Sequence, residues 1–329
     1  MTFNQQSRNP LLFFNLLMVV CFLLISNYLS AQIEQVEKFG SNPGELRCYI
    51  YKPKTLLNSD APLLMVLHGC SQTAEEVSNQ SGWNKLADSL GMLVVYPQQH
   101  LMNNPSRCFN WFRKEDITRG GGEVESLHQM IQYCMAHYPI DNKRVFVFGL
   151  SAGAVMGTIL MAAYPEEITA GCSLAGPAIG TWEGSLSQMK DLYDTDEYVP
   201  QSQLEKLRAC YPGYTGTYPL LLTVQGSNDV LVTIEDQTKQ ITQWTAANGS
   251  DAVPDKIELI NNDPNVERSV YTNSQGRTVV IAYQISGMGH VLPINTGNRI
   301  DEGGKTGLFS KELNFHLPYW VMREFGMVK

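Results

Sequence analysis

The stretch VFVFGLSAGAVMG, from Val145 to Gly157, sets Ser151 between two glycines where an apolar strand gives way to small apolar residues. A serine hydroxyl is a poor nucleophile at neutral pH. One that does chemistry needs a base to take its proton and an acid to hold that base. Flanking glycines let a strand and the following helix approach so closely that the serine must take a strained turn. That turn lifts its hydroxyl into the field of the helix N-terminus. An ordinary turn serine is the plainer reading, but the strand before and the small-residue helix after favour a nucleophile.

Two later segments supply the missing partners. LLLTVQGSNDV (Leu220 to Val230) ends a buried strand in a turn that carries Asp229, and VVIAYQISGMGHV (Val279 to Val291) ends another at His290. The order Ser151, Asp229, His290 is that of an α/β-hydrolase triad. Other candidates fit less well. His100 sits in a polar loop, His128 and His137 fall on a helix, His316 lies beside the last helix, and Asp236 lies inside a helix. Asp229, in contrast, follows the C-terminal end of a strand, where open α/β sheets form their sites. The oxygen of a tetrahedral intermediate needs N–H donors. Ala152 offers one at the helix start, and Cys70, in the His68-Gly69-Cys70 loop after an early strand, offers the second. His68 reads as a residue that orders this loop, not as a base.

The elements that must position these groups alternate along the chain. PLLMVLHG (Pro62 to Gly69), MLVVYP (Met92 to Pro97), RVFVFGL (Arg144 to Leu150), PLLLTVQG (Pro219 to Gly226) and TVVIAYQISG (Thr278 to Gly287) are strands, and ELRCYIYKP (Glu45 to Pro53) alternates like an outer strand. Helices are expected at 83–91, 123–138, 234–248 and 317–325. Strands alternating with helices predict an α/β fold with a mostly parallel central sheet flanked by helices. Residues 177–218, rich in Tyr, Asp and Gln, read as an excursion over the sheet.

Arg8 is followed by the apolar run Leu11 to Ile25 and then by SNYLSAQ. This pattern reads as a secretory signal peptide over residues 1–31, cleaved near Ala31, and not as a membrane anchor, for which about 20 apolar residues are needed. Residues 32–329 would form one α/β domain, exported to the periplasm or the medium. That segment carries 23 basic and 32 acidic residues, which argues against a nucleic-acid partner. Nothing points to a membrane in the mature form or to an obligate protein partner. Six cysteines remain after Cys21 (Cys48, Cys70, Cys108, Cys134, Cys172, Cys210), an even set that suggests disulfides, with buried free thiols as the alternative. No Cys-x-x-Cys or Cys/His cluster has zinc spacing, so neither metal nor cofactor is expected.

The segments LHGCSQTAEE, SGWNKLAD, YPQQ, NPSRCFNWF, RGGGEVESL, RVFVFGLSAGAVM, QGSND and GMGH, in this order, resemble the poly(3-hydroxybutyrate) depolymerase family of esterases, which includes feruloyl and acetylxylan esterases within the α/β-hydrolase fold. The resemblance spans about residues 45–326. It implies a serine esterase acting on short-chain or 3-hydroxyalkanoate esters, or alternatively on plant-wall feruloyl or acetyl esters. Ser151, Asp229 and His290 would be the triad, with Cys70 and Ala152 at the oxyanion hole. It also implies that Trp111 lies near the substrate and that Cys70 pairs with Cys108. Phe109 and Trp182 are further candidates for the substrate wall. A serine peptidase of the same fold would use the same triad, and a binding protein would keep the fold without turnover. The chain departs from the family at Ala154, at VQGSND, which lacks a preceding Trp-His, and at HVLPIN, which lacks an aromatic after His290. These departures bear on substrate choice.

Overall fold

The computed structural model describes residues 33–54, 60–181 and 200–328. The expected signal peptide, Trp182 and the centre of the 177–218 excursion lie outside them. In chain order the strands are β1 (Glu34–Val36), β2 (Arg47–Tyr51), β3 (Ala61–Leu67), β4 (Leu93–Gln98), β5 (Ile140–Leu150), β6 (Ala170–Leu174), β7 (Leu220–Gly226), β8 (Lys256–Leu259), β9 (Val266–Thr272) and β10 (Thr278–Ile285). They form one sheet in the order β1-β2-β4-β3-β5-β6-β7-β10-β9-β8. A small parallel pair, β11 (Leu292–Ile294) and β12 (Ser310–Glu312), stands apart. The helices are α1 (Ala74–Gln80), α2 (Trp83–Leu90), α3 (Lys114–Ile117), α4 (Gly122–His137), α5 (Ala152–Ala163), α6 (Pro200–Arg208), α7 (Ile234–Ala247) and α8 (Leu317–Glu324).

From β4 through β3, β5, β6 and β7 to β10 every pairing is parallel. The continuous apolar runs explain this. β3 and β4 are buried at every position, as strands covered on both faces must be. The flanking pairs are antiparallel, and β9 mixes buried and accessible positions. Sequence reading did not single out β1, β6, β8 or β9: β1 and β8 are short edge strands, β9 lies beside β8 without an apolar run, and buried β6 (AGCSL) is short and made mostly of small residues. It also passed over α1, whose start is a capping box: Thr73 Oγ1 accepts from the Glu76 N–H while the Glu76 carboxylate accepts from the Thr73 N–H.

α5 is buried at all of its positions, packed between the sheet and its neighbouring helices. It can lie this close only because of two glycines. A Cβ on Gly149 would stand 2.2 Å from the Gly153 carbonyl oxygen, and one on Gly153 would stand 2.4 Å from that of His68. Further along the chain, the segment between β11 and α8 is tied down by Lys85. Its ammonium donates to the carbonyls of Gly297, Arg299 and Glu302 at 2.9, 2.7 and 2.8 Å.

These contacts set a contrast between two glycines of one helix. Gly153→Ala presses on backbone that cannot yield and should cost about 1–3 kcal/mol or more, with loss of activity. Gly157→Ala would meet only the Val147 and Leu67 side chains, at 3.1 and 3.9 Å, and should be tolerated far better. Urea unfolding of the two variants measures the difference; equal destabilisation would contradict the close approach.

Candidate active site

Ser151 sits between β5 and α5 with φ 58° and ψ −121°, a backbone conformation that side-chain-bearing residues rarely adopt. The strain is held from both sides. Its N–H donates to the Leu174 carbonyl at 2.9 Å, and its carbonyl accepts from Ala154 and Val155 at 2.9 and 3.2 Å. Gly69 packs against it, since a Cβ there would lie 3.5 Å from Ser151 Cβ.

Asp229 follows β7, and its side chain has no exposed surface. Its Oδ2 lies 2.7 Å from His290 Nδ1 and accepts from Gln225 Nε2 at 3.1 Å. Its Oδ1 accepts from the N–H groups of Leu231 and Val232 at 2.9 and 3.0 Å. Burial alone would raise this carboxyl. The hydrogen bond with His290 and the Val232 and Leu231 N–H groups outweigh it and hold the acid below the usual carboxylate range. The acid and histidine loops meet because Gly226 has no side chain: a Cβ there would stand 2.2 Å from the Met288 carbonyl oxygen. Asp236, the competing acid, instead caps α7 by accepting from the Thr233 N–H at 2.9 Å. His128 stacks on Tyr164 and pairs with Glu167, His137 bonds the Tyr133 carbonyl, and His316 is buried beside Ser81.

Ser151, Ala152, His290, Cys70 and Trp111 line one cavity of about 430 Å³, together with Ser71, Ser106, Leu231 and Phe309. Among the described residues, no acceptor takes the N–H of Cys70 or of Ala152. Cys70 is bonded to Cys108, as the resemblance implied, while Cys48, Cys134, Cys172 and Cys210 are buried free thiols. The loop is further fixed by His68. Its Nδ1 bonds the Gly69 carbonyl at 2.7 Å, and its Nε2 accepts from the Gln99 N–H at 3.1 Å.

The aromatic wall differs from expectation. Trp111 borders the cavity, but Phe109 does not: it is fully buried and packs on His68 with ring centroids 4.9 Å apart. In the segment CFNWF the cysteine is tethered and Trp111 faces the cavity, so Phe109 is left to fill the space behind the loop. Sequence reading missed Gln225, Leu231 and Phe309. Single polar or apolar residues in loops carry no periodic signal.

The fold and this site define an α/β-hydrolase. The chain belongs to a family of ester hydrolases: the family model described as Esterase PHB depolymerase matches residues 46–252. A poly(3-hydroxyalkanoate) depolymerase C of Paucimonas lemoignei is 34% identical over 98% of this chain and 77% of its own length. Feruloyl esterase B of Talaromyces stipitatus is 28% identical over 86% of this chain and 79% of its own. Among solved structures, an acetyl xylan esterase from Aspergillus awamori superposes with a TM-score of 0.70 at 26% identity, covering 79% of this chain and 94% of that one. The chain is thus a carboxylic ester hydrolase. Among the described residues, no helix is long and apolar enough to cross a membrane.

Two buried imidazoles set an acid limit to stability. Burial pushes His68 and His316 down to about 4, so both stay neutral in the fold, whereas in the unfolded chain they protonate near 6.5. Between these values the unfolded state binds more protons, so stability is lost as pH falls from about 6.5 toward 4, by up to about 3 kcal/mol for each ring. Melting temperature measured against pH at constant ionic strength should fall through this window. A flat profile would contradict neutral buried rings.

Proposed function

We propose that the chain is an exported serine esterase that cleaves short-chain or 3-hydroxyalkanoate esters through an acyl-enzyme on Ser151. The observation that carries this reading is the Asp229–His290 hydrogen bond of 2.7 Å beside the cavity that His290 shares with strained Ser151. Ser151 Oγ attacks the ester carbonyl carbon as His290 takes its proton, and the carbonyl electron pair moves onto oxygen. The Cys70 and Ala152 N–H groups stabilise that oxyanion. Collapse expels the alcohol, which recovers the proton from His290 and leaves Ser151 acylated. A water molecule, deprotonated by His290, then attacks the acyl carbon and releases the acid, restoring the serine. Asp229 holds the imidazole and stabilises its cationic form.

Export is supported by the apolar N-terminal run and by the Cys70–Cys108 disulfide, a bond that persists in oxidising compartments. The cavity supports a neutral substrate, since its described lining carries no Lys, Arg, Asp or Glu. Its apolar and aromatic wall with two serine hydroxyls suits a short hydroxyacyl group. It also leaves room for an aromatic acid, so a feruloyl or acetylxylan esterase is the second reading, favoured by the acetyl xylan esterase superposition.

Ser151→Ala should lower kcat by about 10⁶-fold and Asp229→Asn by roughly 10⁴-fold, the latter because the imidazole is mis-oriented. Fluorophosphonate labelling, lost in Ser151→Ala, checks the nucleophile; normal turnover by Asp229→Asn with loss in Asp236→Asn would reassign the acid.

Chain length tests the pocket. p-Nitrophenyl acetate and butyrate should be cleaved well and the palmitate hardly at all, since each methylene left in water forgoes about 0.8 kcal/mol of burial. Rapid palmitate hydrolysis would move the protein toward lipases. Parallel assays with 3-hydroxybutyrate oligomers, methyl ferulate and acetylated xylan separate the two substrate readings.

A further inference from the structure

The motif RGGGEVESL contains a buried carboxylate that the ester chemistry leaves unused. Glu123, in the first turn of α4, is wholly inaccessible to solvent. Its Oε1 accepts from Gln99 Nε2 at 2.6 Å, Asn110 Nδ2 at 2.6 Å and Asn103 Nδ2 at 3.1 Å; its Oε2 accepts from the Asn110 N–H at 2.7 Å. All four contacts are donated to the carboxylate. A buried carboxylate holding this many donors is a strong local organiser, because removing it strands each donor.

All of those donors belong to the irregular segment 99–111, between β4 and α3, which forms one wall of the cavity. Asn110 precedes Trp111. Gln99 Nε2 also donates to the Cys108 carbonyl at 3.0 Å, and Cys108 is bonded to Cys70. Asn104 Nδ2 closes the ring on Asn110 Oδ1 at 2.9 Å. One carboxylate thus fixes the backbone on both sides of Phe109, and with it Cys108 and Trp111, two of the three residues of the segment that face the cavity.

We infer that Glu123 is a positioning residue for ester hydrolysis: through Asn110, the residue before Trp111, it sets Trp111 against the bound ester. The inference rests on the reading of Ser151 as nucleophile and Trp111 as substrate wall. A residue acting through Trp111 changes substrate affinity more than bond-making, and its effect disappears when the indole is gone.

The experiment is a double-mutant cycle of Glu123→Gln and Trp111→Ala, with p-nitrophenyl butyrate as substrate. Glutamine keeps the shape but turns an NH₂ group toward N–H donors. Glu123→Gln alone should raise KM about tenfold with a smaller fall in kcat, and should change KM little further in the Trp111→Ala background. If Glu123→Gln does not fold, Asn110→Ala takes its place. It removes the 2.6 Å side-chain contact and keeps the main-chain one, and should give a smaller KM rise that again vanishes without the indole. An unchanged KM with only a lower melting temperature, or effects that multiply independently across the cycle, would overturn the inference. Fluorophosphonate labelling of the wild type separates the levels. A wild type that neither labels nor turns over ends the Ser151 reading and this inference with it, whereas a labelled, active wild type matched in KM by Glu123→Gln ends this inference alone.

Discussion

At the end of β5 three stretches of backbone meet with no side chain between them. Gly153 lies against the carbonyls of Leu67 and His68, and Gly149 lies against that of Gly153. This contact decides where α5 begins, and so where the Ala152 N–H points. It also brings the first loop residues after β3 beside Ser151. The strained φ of Ser151 is the conformational cost of that approach, and the hydrogen bond from its N–H to Leu174 in β6 keeps the chain from relaxing. Strain persists where neighbouring structure over-determines it, and here it is set by two strands and a helix at once.

The same device recurs on the acid side of the site. Gly226 lets the turn after β7 lie against Met288, so two loops from adjacent parallel strands, β7 and β10, deliver Asp229 and His290 to one another. The carboxylate is then enclosed by main-chain N–H groups and Gln225. These fixed dipoles take the role that water would play around an exposed acid. Orientation of the imidazole follows from sheet order and turn geometry, with little left to side-chain freedom.

How much of this was legible in the sequence divides along physical lines. Most of the buried parallel strands announced themselves as unbroken apolar runs, β6 excepted because AGCSL is short and made mostly of small residues. The Ser151, Asp229 and His290 segments stood out because glycines crowd the ends of those runs. β1, β8 and β9 did not, since strands at and beside a sheet edge are specified mainly by their neighbours. Phe109 and Trp111 are two residues apart and chemically alike. Which of them meets the cavity depends on how segment 99–111 is pinned by Cys108, Asn110 and Glu123, and no local pattern records that. Glu123 itself was visible only as a letter in a motif, because its partners come from a segment well before it in the chain.

Lys85 holds the chain between β11 and α8 in a way that resembles an ion site filled from within. Three carbonyl oxygens converge on its ammonium much as they would on a bound metal cation. A dissolved cation stabilises its site only to the extent that its concentration exceeds its dissociation constant. An ammonium carried on α2 is present at a fixed effective concentration whatever the medium holds. The segment following His290 is therefore clasped without drawing on mineral supply, and chelators or dilution into ion-poor water have nothing at that point to remove.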